Sequence, residues 1–433
     1  MESVIIVGGG LAGAEAAWQA ASRGVAVTLH EMRPGKSTPA HRTGLLAELV
    51  CSNSLGADSG DNAPGLLKQE LRRLGSLIMR AADESRVPAG NALAVDRGTF
   101  AGAVSQAIVG HPLIHVVREE VETIPAAGPA IIATGPLTST AMADSIVTFT
   151  GSDGLSFFDA AAPMVAADSI DYSKVYRASR YGKGGEDYLN CPLDRQEYLA
   201  LRQALLEAER HPPEDVDKSV FFEGCLPVEE LARRGEETLR YGPLKPVGLP
   251  NPRDGRTPHA VVQLRQDNRE ATIFNLVGFQ TSLRFPEQRR VFRMIPGLEQ
   301  AEFVRYGVMH RNTYLRSPGL LGPTLATIER PDLFFAGQIT GVEGYLESTA
   351  TGLVAGINAA RGLRGLEPAG FPPTTMIGAL CRYVSEADPH HFQPMNANFG
   401  LFPPVPGIKR REKKQFLILR ATEDLGKVLN IVN

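Results

Sequence analysis

The sequence is poor in cysteine, in long apolar runs and in surplus charge, and each shortage excludes a class of protein. Only four cysteines occur in 433 residues, none of them at C-x-x-C spacing. This argues against a zinc ribbon or a disulfide framework, and we expect no metal site. No apolar run approaches the ~20 residues that a membrane span needs. The formal net charge of −3 argues against a polybasic nucleic-acid binder, so we expect any anionic partner to be met by a local patch. The scattered cysteines favour a reducing compartment, and we expect a cytoplasmic protein.

The most informative pattern lies at the N-terminus, where a strand, a glycine turn, a helix, a second strand and an acid follow one another. Its parts are the apolar run 4–7, Gly8, Gly10, Gly13, the helical stretch 14–22, the strand 25–29 and Glu31. This order is the dinucleotide-binding fingerprint in the context it requires. A glycine-rich turn of another α/β fold is the alternative that these residues leave open.

Each part of the fingerprint has a mechanical reason. Gly8 allows a tight turn, Gly10 lets the backbone approach a pyrophosphate, and Gly13 lets helix and strand pack closely. The helix N-terminus offers N–H groups and a positive dipole to phosphates, and the acid accepts hydrogen bonds from a ribose. The predicted cofactor-binding residues of this turn are Gly8, Gly9, Gly10, Leu11, Ala12, Gly13 and Glu31.

A second glycine turn near the C-terminal third resembles the second signature of FAD-binding proteins. An apolar strand at 333–337 runs into the turn 338–341, and a small-residue helix follows at 348–361. The chain also leaves an earlier strand, 130–134, in the manner of a flavoprotein. The predicted FAD-binding residues here are Thr134, Gly135, Gly337, Gln338, Gly341 and Gly344. No second G-x-G-x-x-G occurs, so we expect a nicotinamide donor to visit the flavin directly.

The chain pattern predicts an α/β fold, a Rossmann-like FAD-binding domain of the glutathione-reductase type with an inserted α+β domain. The predicted divisions are 1–144 and 305–433 for the FAD-binding domain and 145–304 for the inserted substrate domain. Residues 34–64 read as a long polar loop. The predicted helices are 66–81, 194–209 and 227–234, and the further predicted strands are 113–119, 260–265 and 272–276.

Seven further segments narrow the choice among families of flavoproteins. They are 48–55, 94–97, 221–227, 278–284, 290–299, 306–313 and 336–346. Together they resemble, in order, the folate- and FAD-dependent tRNA (uracil-5-)-methyltransferases of the TrmFO family, which are related to the GidA-type tRNA-modifying flavoproteins.

The resemblance implies a reaction. It is C5 methylation of the T-loop uridine, position 54 of tRNA, to 5-methyluridine. The one-carbon donor would be 5,10-methylenetetrahydrofolate, and FAD, re-reduced by NADH or NADPH, would supply the electrons. The implied partners are the T arm of tRNA and these small molecules, with no membrane and no obligate protein partner.

Such chemistry needs a reactive thiol, because uracil C5 becomes nucleophilic only after a thiolate adds at C6. We predict Cys225, just ahead of a helix N-terminus, as the nucleophile. Cys51, in the polar loop, is predicted to be its partner as base or protecting thiol. The reverse assignment stays open. Cys191 and Cys381 are interpreted as small buried hydrophobic residues.

Basic residues are weaker predictions for substrate binding. Arg284 and Arg290 stand in a dense basic stretch, to which Arg311 adds, and are candidates for contacts with phosphate or with the folate tail. His310 is a candidate to orient a substrate carbonyl or to stack on the pterin, and a packed or surface histidine is its plainer alternative. Surface ion pairing with Glu287, Glu299 and Glu302 is the plainer alternative, and the run 409–414 reads either as a solvated helix start or as a phosphate patch.

Two other functions stay open at this point. One is an NAD(P)H–flavin oxidoreductase without an RNA substrate, with Cys51 and Cys225 as a redox pair. The other is an RNA-binding protein whose FAD is structural.

Overall fold

A computed structural model describes residues 3–38, 40–151, 155–211 and 226–432, and within these the side chains of 155–159, 310, 311 and 410 are not described. The strands, in chain order, are β1 Ser3–Val7, β2 Ala26–His30, β3 Ser54–Ala57, β4 Arg86–Val87, β5 Ala92–Val95, β6 Ile114–Val117, β7 Ala130–Ile132, β8 Leu155–Ala160, β9 Met164–Ala166, β10 Tyr176–Arg177, β11 Tyr188–Leu193, β12 Ala260–Gln266, β13 Ile273–Leu276, β14 Phe303–Arg305, β15 Met309–Tyr314 and β16 Leu333–Phe335.

The helices are α1 Leu11–Ala21, α2 Ala63–Arg73, α3 Leu77–Glu84, α4 Arg97–Val109, α5 Thr140–Thr150, α6 Arg195–Glu207, α7 Val228–Arg234, α8 Thr238–Tyr241, α9 Phe285–Phe292, α10 Tyr345–Leu363, α11 Met376–Glu386 and α12 Arg410–Val432.

The first sheet is parallel and has the strand order β16-β7-β1-β2-β6. Strands from the first third and the last third of the sequence therefore lie side by side, because β16 pairs with β7. Helices α1 and α10 pack together so closely that a Cβ added at Gly352 would lie 2.2 Å from Ala12 O, and one at Gly356 would lie 2.4 Å from Ala16 O. Only glycine permits this contact, which fixes α10 against the fingerprint helix.

The second sheet is built from the middle of the chain. Its order is β10-β11-β12-β13-β9-β14, and its pairs are antiparallel. Its core is separate from that of the first sheet, with Tyr198 and Leu201 of α6 and Phe292 of α9 buried in it. Two smaller sheets, β3-β5-β4 and β15-β8, complete the described part of the chain.

The expected mixed α/β fold with a parallel sheet is confirmed, and most predicted elements appear within a few residues of the expected bounds. Helix α6 begins at a capping box in which Asp194 accepts from Glu197 N and Glu197 accepts from Asp194 N, each at 2.8 Å. The domain divisions after residues 144 and 304 stay a prediction. In the structure these two positions fall inside α5 and β14.

Two predicted elements are wrong. The single helix 66–81 is two helices, because Gly75 has φ +71° and Ser76 starts α3 by accepting from Met79 N at 3.2 Å. The predicted loop 34–64 contains β3, which pairs with β5 across an irregular register. Backbone pairing with the distant strand β5 makes this segment a strand, and the local composition of residues 54–57 does not predict it.

Candidate functional site

A cleft of about 1000 Å³ opens at the carboxyl ends of β1, β2, β7 and β16. Ligands of open parallel sheets bind at this edge. Of the predicted cofactor residues, the cleft is lined by Gly8, Gly9, Gly10, Leu11, Ala12, Glu31, Thr134, Gly135, Gly337 and Gln338. The two glycine turns, far apart in sequence, therefore face one cavity.

The three fingerprint glycines differ in what surrounds them. Gly8 has φ +105°, and an added Cβ would lie 2.4 Å from Ala133 O, so the turn needs glycine for both conformation and space. A Cβ at Gly13 would lie 1.8 Å from Gly8 O. A Cβ at Gly10 would meet no atom within 4 Å, so a side chain there would project into the cleft. The cradle fits the close approach of a dinucleotide pyrophosphate.

Glu31 is buried at the end of β2, and its carboxylate is already well hydrogen-bonded. Oε2 accepts from Gly9 N at 2.9 Å and from Arg33 Nη2 at 3.1 Å, while Oε1 accepts from Arg33 Nε at 2.9 Å and Arg33 N at 3.0 Å. Burial opposes ionisation, but the Arg33 guanidinium outweighs it and lowers the pKa of Glu31. A ribose hydroxyl would have to share one of these four acceptor directions.

The remaining two glycines of the second turn lie elsewhere. The first cleft is called the nucleotide cleft below, and Gly341 does not line it. Gly341 also does not line the cleft around Cys51, and a Cβ on it would lie 2.4 Å from the Phe392 ring. Gly344 lines the second cleft. It precedes α10, so this turn serves both cavities.

Cys51 lies in a second cleft of about 1180 Å³ that adjoins the first. Val50, Pro136, Gln338 and Tyr345 line both clefts. The Cys51 Sγ lies 3.7 Å from Ala160 O and is half-buried. The half-buried cysteine therefore faces a cavity beside the nucleotide cleft.

The loop around Cys51 is held from helix α10 and from strand β12. The Tyr345 hydroxyl accepts from Cys51 N at 2.9 Å and from Ser52 N at 3.2 Å. Arg265 of β12 donates to Asn53 Oδ1 at 2.8 Å and to Ser52 Oγ at 2.7 Å. Asn53 is buried and helps to anchor this loop through its amide, which donates to Val95 O and Gln266 O.

Three arginines that carried no predicted role act electrostatically on the Cys51 sulfur: Arg97, Arg265 and Arg305. Arg97 donates to Cys51 O at 3.2 Å and pairs with Asp267 at 2.9 Å. Arg305 donates to Val50 O at 2.9 Å, and burial lowers its pKa. Positive charge favours a thiolate over a thiol. Only the Asp96–Arg97 motif signalled any of the three, since Arg265 and Arg305 join the loop through long-range folding.

Several predicted site residues lie outside this picture. Cys225 is outside the described residues, as are the side chains of His310 and Arg311. Arg284 pairs with Glu209 at 3.0 Å and Arg290 with Glu287 at 2.6 Å, both on the surface. The plainer ion-pairing alternative thus describes their contacts in this structure.

Among the described residues, every helix is too short or too polar to span a membrane. The same described residues contain no group of three His, Cys, Asp or Glu residues arranged to hold a metal ion.

Comparisons with known proteins identify the family. A family model described as glucose inhibited division protein A matches residues 3–367. The methylenetetrahydrofolate--tRNA-(uracil-5-)-methyltransferase TrmFO of Geobacter sulfurreducens is 62% identical over 425 residues, 98% of this chain and 98% of that protein. The protein of the same name from Desulforudis audaxviator is 61% identical over 98% of this chain and 97% of its own length. The chain belongs to the TrmFO family.

Solved structures agree with the TrmFO assignment at the level of fold. GidA from Aquifex aeolicus superposes with a TM-score of 0.70 at 18% identity, over 99% of this chain and 76% of that one. A second crystal form of the same protein gives 0.68 at 17% identity, over 98% and 73%. TrmFO family members and GidA thus share an architecture, and the functional argument comes from the site.

Proposed function

We propose that this chain is a methylenetetrahydrofolate- and FAD-dependent tRNA (uracil-5-)-methyltransferase that forms 5-methyluridine at the T-loop uridine. The observation that carries the proposal is the shared wall between the nucleotide cleft and the Cys51 cleft, formed by Val50, Pro136, Gln338 and Tyr345. A thiol beside a dinucleotide site is what uracil activation coupled to a flavin requires. The names of the relatives supply the substrate class.

The net reaction balances as uridine plus methylenetetrahydrofolate, NAD(P)H and a proton, giving 5-methyluridine, tetrahydrofolate and NAD(P)⁺. FAD, when bound in the first cleft, supplies the hydride chemistry that turns a C5-attached methylene into methyl. The glycine turns bind its pyrophosphate, and the adjoining cleft holds the base. NADH or NADPH would reach the flavin without a nicotinamide domain of its own.

In the protein's part of the reaction, the Cys225 thiolate adds to uracil C6, and C5 then attacks the electrophilic methylene. Cys51 is the candidate base that removes the C5 proton, and elimination then restores the Cys225 thiolate. Hydride delivered to the methylene breaks its bond to the folate nitrogen, which releases tetrahydrofolate and leaves the methyl group on C5. Arg97, Arg265 and Arg305 supply the positive environment in which a Cys51 thiolate persists. Arg284, Arg290, His310 and Arg311 are proposed as substrate contacts of lesser weight.

The test is 5-methyluridine formation in a T-arm minihelix, measured by mass spectrometry, with methylenetetrahydrofolate and NADPH supplied to the FAD-bound protein. Cys225→Ala and Cys51→Ala should each abolish the product while FAD stays bound. Cys381→Ala, in the buried core, is the matched control and should retain activity. Rapid NADPH oxidation with no product and no RNA binding would instead establish the flavin oxidoreductase alternative.

A further inference from the structure

One polar side chain in the Cys51 cleft is buried without a hydrogen-bond partner among the described residues. Asn312 of β15 is 1% exposed, and both its Oδ1 and its Nδ2 lack a hydrogen-bond partner among the described residues. The same residue lines the cleft that contains Cys51. Buried amides are almost always hydrogen-bonded, so an amide with both atoms unmatched points to a missing ligand.

The backbone around Asn312 holds it firmly. Strand β15 pairs with β8 along its length, and Thr313 N donates to Pro136 O at 3.0 Å. Pro136 belongs to the wall shared with the nucleotide cleft. The amide is therefore presented from a strand and not from a loop tip, which suits orientation of a ligand.

The walls around the amide define the ligand's shape. Leu55, Leu67 and Leu346 give the cleft apolar surface. An asparagine amide presents a donor beside an acceptor, and its complement is an acceptor beside a donor on one edge of a ring. A lactam edge, a ring carbonyl next to a ring N–H, has that arrangement.

We propose that Asn312 recognises the lactam edge of the planar heterocycle that enters the Cys51 cleft, and so selects that ring. This inference rests on the proposed function, under which two substrates carry such an edge. They are the uracil of the RNA and the pterin of the folate. The chemistry at Asn312 is the same for both, and the experiment separates them.

The experiment compares equilibrium binding of two probes, 5-formyltetrahydrofolate and a T-arm minihelix, to the FAD-bound protein and to two variants. Asn312→Leu removes both polar atoms at similar volume, and Asn312→Asp keeps the shape but loses the donor. Each should weaken binding of one probe by about ten-fold or more. A loss confined to the folate identifies the pterin as the ring, and a loss confined to the minihelix identifies the uracil.

Stability separates recognition from a structural role. Because the amide has no hydrogen-bond partner in the part of the chain that the structure describes, Asn312→Leu should melt at the wild-type temperature or above. Thr313→Val on the opposite face of the same strand is the control and should bind both probes normally. Unchanged affinity for both probes in both variants, or loss of FAD from either one, would overturn the inference. The proposed function is judged separately, by 5-methyluridine formation in the wild-type protein.

Discussion

At the scale of single residues, the fingerprint glycines divide into those that serve the fold and those that serve the ligand. Gly13 has Gly8 O at 1.8 Å from a hypothetical Cβ, whereas Gly10 has open space. Spacing alone predicts that Gly13 serves packing and that Gly10 serves the approach of a pyrophosphate, because the motif is a local property of one turn.

The first prediction contrasts these two positions. Gly10→Val should lower bound FAD per chain by about ten-fold or more, because the new side chain occupies the cleft, while the apoprotein keeps its fold. Gly13→Ala should instead destabilise the protein by about 1 to 3 kcal/mol through overpacking. Flavin absorbance per chain and thermal unfolding measure the two effects. A Gly10→Val protein with its full flavin content would contradict the assignment of this turn.

The second prediction concerns thiol reactivity. Near pH 7.5 iodoacetamide should modify Cys51 well before Cys381, because arginines favour the Cys51 thiolate while burial raises the pKa of Cys381 to about 12. Mass spectrometry of each peptide gives the rates. Arg305→Gln should slow the Cys51 reaction by a few-fold, and an unchanged rate would remove the electrostatic role given to Arg305.

The site residues that sequence reasoning missed have a common cause. Arg265 and Asn312 lie on strands of two different sheets. Arg265 donates to Ser52 in the Cys51 loop and Asn312 lines the Cys51 cleft, and both arrive there only through long-range folding. Neither stands in a local pattern with Cys51. A motif reveals residues that share a turn, while a cavity gathers residues that share only space.

At the scale of elements, the buried contact between α2 and α11 carries a titratable group. Glu70 of α2 accepts from Met376 N at 2.8 Å and Ile377 N at 2.9 Å, at the start of α11. Burial nonetheless raises the pKa of Glu70 to about 7. An acid with a raised folded-state pKa gives stability that is full below its unfolded value and is lost as pH rises through the folded value.

The third prediction follows from that sign. Between pH 5 and pH 8 the wild-type protein should lose up to about 3 kcal/mol more unfolding free energy than Glu70→Gln, which has no charge to bury. Urea unfolding of both proteins at the two pH values gives the difference. Equal pH dependence in the two proteins would show that Glu70 titrates normally in the folded state.

Helices and strands are predictable where the residues that start and end an element lie within that element's own sequence. Helix α6 has a capping box at Asp194 and appears as expected. The predicted single helix 66–81 is wrong because Gly75, with its positive φ, follows the end of α2 and Ser76 caps the start of α3. Strand β3 was missed because its pairing partner β5 lies far along the chain.

At the scale of the whole molecule, a chain of net charge −3 has to bind a polyanion through local positive charge. The fourth prediction is that affinity for a T-arm minihelix falls steeply with added salt. Arg284→Ala together with Arg290→Ala should reduce the logarithmic salt slope by about 1 to 2. Lys174→Ala, at an exposed residue paired with Glu299, is the control. A slope unchanged in the double variant would leave both arginines as surface ion pairs.

The parallel sheet was predictable from the two glycine turns, but the meeting of the clefts was not. The shared wall depends on long-range contacts of the Cys51 loop, in which Arg265 of the six-stranded sheet donates to Ser52 and Tyr345 of α10 accepts from Cys51 N. The spacing of Cys51 and Cys225 in sequence carries no information on it.

The most direct measurement is covalent trapping of a T-arm RNA that carries 5-fluorouridine, in which fluorine replaces the C5 hydrogen that the base must remove, so that the intermediate formed after thiolate addition cannot break down. The FAD-bound protein is incubated with this RNA and methylenetetrahydrofolate, digested, and the RNA-bearing peptide is sequenced by mass spectrometry. We predict attachment through Cys225, and only when 5-fluorouridine stands at the T-loop target position of the RNA. Attachment to Cys191 or Cys381, or full 5-methyluridine formation on unmodified RNA without any trapped adduct, would contradict it.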